Sequence, residues 1–322
     1  MDIQKYAAPL PTLLTALVAL LPLLMRDTYV LHLMIMSFIW AIVAANWNIM
    51  IGYAGVLHYA QIALFSIGAY VSAILTVRIG ISPWIGILLG GISAALTAMA
   101  LGWPTLRVRG IYLILLTFAF HFLVLTSIFN FRDITGGTQG LTGIPTFQLG
   151  PLAFERTEKI PYYYLVLIIF LISSVVHKKI LGSPVGMSLV ALRDSERYAV
   201  SRGVNPYQHK LVVFAICSFF TGVIGGVYTH YLQFVSPELL GFGVITSVVA
   251  MVVLGGLGTF AGPTIGSFVL TFVSEYLRGL GAYRNIIMGL VIVLTLIFMP
   301  SGFAKVLDSA RLYAAKKIAK VA

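Results

Sequence analysis

Charge is what this chain has least of. Asp, Glu, Lys and Arg make up 10% of its 322 residues, where soluble domains carry roughly 25%, so an ordinary water-soluble domain is excluded. Cysteine is nearly absent: Cys217 stands alone in an apolar run, which rules out an intrachain disulfide or thiolate metal cluster and leaves a small buried hydrophobe as its reading. Also missing are a GxxxxGK(S/T) phosphate loop, an HExxH pair, a CxxC pair and any Ser, His and acid grouping. Neither nucleotide hydrolysis nor metalloenzyme chemistry is therefore written here, and no catalytic or metal residue is assigned. The longest polar stretches, roughly 131–160, 179–208 and 301–322, are too short for a core of their own.

What is present is oil. Hydrophobic residues make up 59% of the chain and the mean hydropathy is +0.98. A lipid core about 30 Å thick takes roughly 20 apolar residues of helix to cross, because lipid satisfies no free backbone group. Ten segments qualify: 10–25, 28–51, 57–77, 83–104, 110–130, 161–178, 209–232, 243–257, 262–277 and 283–300. The expected fold is all-α and polytopic, one membrane domain over 1–300 with a basic tail at 301–322. The 243–257 and 262–277 pair, joined by LGGLGTFAGP, also reads as a broken or re-entrant element. The first segment has no small-residue cleavage site after it and reads as a retained span.

Threading the spans from a cytoplasmic N-terminus places Lys5, Arg107, Arg109, six bases between Lys178 and Lys210, and Lys305, Arg311, Lys316, Lys317 and Lys320 inside. Outside fall Arg26, Arg78, Arg132, Arg156, Lys159, Arg278 and Arg284, half as many, as the positive-inside rule requires. Both termini are then cytoplasmic. The net charge of +11 is a topology signal, not a nucleic-acid footprint.

An ion-driven carrier usually keeps ionisable groups at mid-membrane. Here nine acids fall in loops, tails or span edges, and Glu275 lies within about a turn of an outer end. An externally powered pathway fits better than a proton- or sodium-coupled carrier. A membrane enzyme or scaffold fits least, for want of acid–base or metal groupings.

Polar residues do gather after Asn46. Asn48 precedes Gly52-Tyr53-Ala54-Gly55, and His58, Gln61, Ser66 and Tyr70 follow. The glycines permit a turn or unwound backbone, and the polar side chains read either as pathway lining or as helix–helix glue. His32, His121 and His230 read as satisfied interior or interfacial histidines, and His177 and His209 as interfacial ones. The outer loop with Gly136, Gly137, Gly140, Gly143 and Pro145 reads equally as a docking site or as a compact cap over the spans.

The most informative stretch is 181–208, a polar island between apolar segments in which Leu189, Leu192, Ala199 and Val200 recur at helical spacing. It predicts a short amphipathic helix at the membrane surface over 188–203. Leu189, Leu192 and Val200 form its packed side and Arg193, Asp194, Glu196 and Arg197 its polar rim, in the manner of a helix-in-groove contact with a soluble partner.

Five stretches in order, Asn48 to Tyr70, Leu106 to Phe120, Thr135 to Pro145, Ser183 to Leu211 and Leu254 to Gly266, resemble the permeases of branched-chain amino-acid ABC importers, the LivM-like branch. The resemblance covers nearly all of residues 40–300. It implies a bacterial or archaeal cytoplasmic membrane, a second related permease, two ATP-binding subunits that hold ATP and Mg, and an extracytoplasmic solute-binding protein. It also implies that the island docks on the ATPase. Ala199-x-x-x-Gly203 matches the end of a loose importer pattern, and Arg193-Asp194-Ser195-Glu196 a charged turn of this branch. One departure stands out: His58-Tyr59-Ala60-Gln61 replaces the usual Ser-Gly-(His/Gln), and Ser66 a common Gly. The implied solute is leucine, isoleucine or valine, with urea, short amides or aromatic acids as alternatives.

Overall fold

Three of the helices begin where Ser or Asn precedes Pro. Ser82-Pro83, Ser183-Pro184 and Asn205-Pro206 each open one, since Pro at the first helical position needs no N–H partner and its φ is already helical. Asn205 Oδ1 also accepts from the amides of Tyr207 and Gln208 at 3.1 and 3.2 Å, and Ser183 Oγ from Gly186 N, which satisfies orphan donors of the first turn.

The computed structural model describes residues 27–108, 110–149, 152–154, 159–280, 283–298 and 302. In order come α1 (Thr28–Asn48), which ends in a π-helical turn over Ile49–Tyr53, α2 (Gln61–Arg78), α3 (Pro83–Thr105) and α4 (Ile111–Asn130). Then follow α5 (Lys159–Leu181), α6 (Pro184–Asp194), α7 (Glu196–Ser201), α8 (Pro206–Leu232), α9 (Phe242–Gly255), α10 (Gly262–Tyr276) and α11 (Tyr283–Phe298). Among the described residues, six helices are long and apolar enough to cross a membrane: Thr28–Tyr53, α2, α3, α4, α5 and α8. The chain is a multi-pass integral membrane protein.

Among the described residues, six of the ten expected spans are thus met. Segment 10–25 and the tail beyond 302 lie outside the described residues. α9 and α10 have 14 and 15 residues, so each extends only about 21–23 Å at 1.5 Å per residue, short of a hydrocarbon core. The glycine-rich turn between α9 and α10 is the reason: Gly256 and Gly258 adopt φ of 110° and 70°, backbone that ends a helix. The span expected from 57 starts only at Gln61.

The long helices gather their connections at two ends. At one end, called basal here, Arg193 reaches Gly52, Asn48 reaches Thr259, and Arg107 lies over Tyr207. At the distal end Arg78 donates to Asp133 O and Trp84 to Gln148 O, and Leu141–Thr142 pairs antiparallel with Phe234–Val235.

Small residues let α2, α3 and α8 touch backbone to backbone. A Cβ on Gly68 would lie 2.3 Å from Gly222 O, and one on Gly90 2.6 Å from Gly68 O. Close approach of this kind replaces the hydrophobic effect as the packing force between helices in lipid. One core runs between α1, α5, α8 and α9 around Trp47, Tyr162 and Tyr163. A second, basal core joins Ile49, Ala60, Leu101, Leu113, Leu189 and Phe214.

Candidate functional site

The break between α1 and α2 organises the basal end. Ala54 N donates to Ile49 O at 3.0 Å and Val56 N to Met50 O at 2.8 Å, wide turns that unwind the helix. Gly55 then turns the chain at φ 67°. Trp47 Nε1 closes the gap with a 2.8 Å bond to His58 O.

Two side chains bind this break to its neighbours. Asn48 Nδ2 donates to Thr259 O and its Oδ1 accepts from Gly258 N, both at 2.9 Å, so one amide satisfies a donor and an acceptor in the α9–α10 turn. From α6, Arg193 Nη1 donates to Gly52 O at 2.6 Å, a charge-assisted bond of a class worth about 1.5–3 kcal/mol. Glycine is required at both contacts: a Cβ on Gly52 would lie 2.4 Å from Gly258 N, and one on Gly55 2.9 Å from Arg193 Cγ. The Arg193–Asp194 pair, 2.9 Å long with side chains 37% and 63% exposed, contributes at most about 1 kcal/mol. Lys210 and Glu196, 3.4 Å apart, tie α7 to the start of α8.

The polar island folds as two helices rather than one. Ser195, at φ −157° and ψ 97°, separates α6 from α7. Leu189, Leu192 and Ala199 are buried in the chain's own core, whereas Val200, expected on the packed side with the two leucines, is 47% exposed. Met187 and Tyr198 are exposed beside it, as are Arg193, Asp194, Ser195 and Arg197; Glu196 is half-buried. Gly203, at φ 85°, ends α7 and donates to Val200 O at 2.9 Å, a left-handed helix stop.

Asn48, His58 and Gln61 come together around the break, while Ser66 and Tyr70 lie further along α2. All five are buried. Gln61 Nε2 donates to Thr221 Oγ1 at 2.7 Å, and His58 packs edge-on against Phe214 with ring centroids 5.0 Å apart. Both ring nitrogens of His58, Gln61 Oε1, Ser66 Oγ, Tyr70 OH and Ser218 Oγ have no protein partner. Such atoms in a native interior call for an explanation. Sequence reasoning missed the α8 side of this seam, Ser218 and Thr221, whose three-residue spacing within the apolar run was its one visible sign.

His177 corrects its reading as an interfacial residue: it is buried, with Nε2 2.8 Å from Asn46 Oδ1, and links α5 to α1. His230 reaches Ser72 Oγ and Pro145 O, the satisfied interior role expected, whereas His121 reaches Leu240 O through Nε2 and leaves its buried Nδ1 without a protein partner. At the distal end Gly136, Gly137, Gly140 and Gly143 all have positive φ, and the loop they shape lies over the spans, held by His230 at Pro145.

Residues 29–296 match the family described as branched-chain amino acid transport system / permease component. The chain is similar to the high-affinity branched-chain amino acid transport system permease protein LivM of Escherichia coli K12, 31% identical over 288 residues that cover 83% of this chain and 68% of that protein. It is also similar to LivH of Salmonella typhimurium, 24% identical over 281 residues, 82% of this chain and 90% of that protein. A probable LivH permease of Methanocaldococcus jannaschii is 22% identical over 267 residues, 77% and 83% of the two chains. No solved structure matches.

Proposed function

This chain belongs to the permease components of branched-chain amino acid transport systems, and from that premise we propose that it is one membrane half of an ATP-driven importer for leucine, isoleucine or valine. ATP and Mg are held by a pair of separate ATP-binding subunits, and this chain has no ATPase site of its own. A second permease completes the pathway; similarity to both LivM and LivH proteins supports a related sister chain. A solute-binding protein delivers the amino acid at the distal end. The chain resides in the cytoplasmic membrane as one domain over 1–300, with both termini inside. Lys178, Lys179, Arg193, Arg197, Arg202 and Lys210 gather at the basal end, which supports a cytoplasmic basal face.

The observation that carries this reading is the Arg193–Gly52 bond. An ATPase that displaces α6 and α7 through their exposed Met187, Tyr198 and Val200 pulls on the unwound carbonyl of the α1–α2 break. Asn48 passes the same displacement to the α9–α10 turn. The unpartnered polar atoms of His58, Gln61, Ser66 and Tyr70, with Asn48, then become the lining of a path opened by that movement. A zwitterionic amino acid of no net charge needs such dipoles and no buried counter-ion.

Reconstitution tests it. The chain with its sister permease, ATPases and binding protein should take up labelled leucine only with ATP, and unlabelled valine should compete while urea does not. Uptake by the lone chain under an ion gradient, or competition by urea alone, would defeat the reading.

A further inference from the structure

One face of α3 is apolar and open along its whole length. Ile85, Leu88, Ile92, Leu96, Met99 and Trp103 follow one another at spacings of three and four and are each between 45% and 61% exposed. That stripe ends at the basal end in a cation. The Arg107 guanidinium lies 4.9 Å from the ring centroid of Trp103 and 5.7 Å from that of Tyr207 at the start of α8, both within cation–π range. Among the described residues no hydrogen bond or ion pair engages this side chain, so its fork of N–H donors stays available.

We infer that Arg107, Trp103 and the α3 stripe form a site for one anionic phospholipid. The acyl chains lie along Ile92 to Met99, about one leaflet deep, and the phosphate accepts from Arg107. A tryptophan above the stripe marks the headgroup level, where its amphipathic ring is most stable. Two aromatic contacts hold the guanidinium in one place, so less rotamer entropy is lost on binding a phosphate than for a free surface arginine. Selectivity for an anionic over a zwitterionic lipid follows from the surroundings: the basal end carries Lys178, Lys179, Arg193 and Arg197, whose field opposes a choline or ethanolamine group. This site is separate from the α1–α2 break and does not depend on what the protein transports.

Native mass spectrometry of the delipidated assembly, titrated with phosphatidylglycerol and with phosphatidylcholine, tests it. One phosphatidylglycerol should bind preferentially, and Arg107→Ala should weaken it about ten-fold, the size of one charge-assisted contact. Arg202→Ala should leave it unchanged: Arg202 also lies over an aromatic ring, Tyr198, but lacks the stripe. Equal retention by Arg107→Ala, or no preference between the two lipids, would overturn the site. Should Arg107→Ala fail to assemble, the wild-type protein supplies a second measurement with phosphatidylglycerol bearing a photoreactive acyl chain. Labels within 92–103 support the site; labels elsewhere, or a sister permease cross-linked to Leu96, refute it.

Discussion

Arg193 Nη1 lies 2.6 Å from Gly52 O, a bond between residues 141 positions apart that joins the surface helix α6 to the unwound end of α1. Loss of the guanidinium leaves a buried carbonyl without its partner, while Asp194 remains in water. Arg193→Ala should therefore reduce ATP-dependent uptake about ten-fold or more, with the amount of chain in the membrane unchanged. Asp194→Ala, which removes only an exposed ion pair, should change uptake less than two-fold or so. Equal loss in the two variants, measured in the same vesicles, would show that the local charge matters and the link to the break does not.

Asn48 is expected to act on stability first. Its amide serves one donor and one acceptor of the α9–α10 turn, and Asn48→Asp keeps the acceptor while setting a carboxylate oxygen against Thr259 O. A loss of about 2 kcal/mol is expected, read as a fall in the melting temperature of the detergent-solubilised protein. Asn48→Ala should cost a similar amount, because both backbone groups are then left unpaired.

Composition made the membrane class legible, and local pattern the break, since Gly55 had to turn and Asn48 had to find a partner. What escaped was phase and distance. The recurrence of Leu189, Leu192, Ala199 and Val200 looked like one helix because neither Gly nor Pro interrupts it, yet the extended backbone of Ser195 resets the helical phase. Ala199 then turns inward and Val200 outward. His177 looked interfacial because Lys178 follows it, but α5 continues to Leu181 and carries His177 to Asn46, a contact that no local pattern encodes. Segments 243–257 and 262–277 had the hydropathy of spans; the glycines between them shortened the helices they formed.

The α2, α3 and α8 seam should not tolerate side chains. Gly222 has Gly90 O 2.7 Å from the position of its absent Cβ and Ala94 Cβ at 2.5 Å, and neither neighbour can swing aside. Gly222→Val should abolish a monodisperse peak in size-exclusion chromatography. Gly243, in the first turn of α9, has nothing within 4 Å of the same position, and Gly243→Ala should be neutral or raise stability by up to about 1 kcal/mol.

Gly203 separates a coupling defect from a folding defect. Its φ of 85° is closed to proline, whose ring holds φ near −65°, and its N–H is committed to Val200 O. Gly203→Pro must therefore unwind the end of α7 and displace Tyr198 and Val200, the side chains left free for a partner. Gly203→Asn keeps the left-handed stop at modest cost. The six long helices do not depend on this turn, so both variants should reach the membrane in normal amounts. ATP-dependent uptake should be lost in the proline variant and retained in the asparagine variant. Uptake retained by Gly203→Pro would mean that α7 transmits nothing, and Arg193 on α6 would then have to carry the coupling alone.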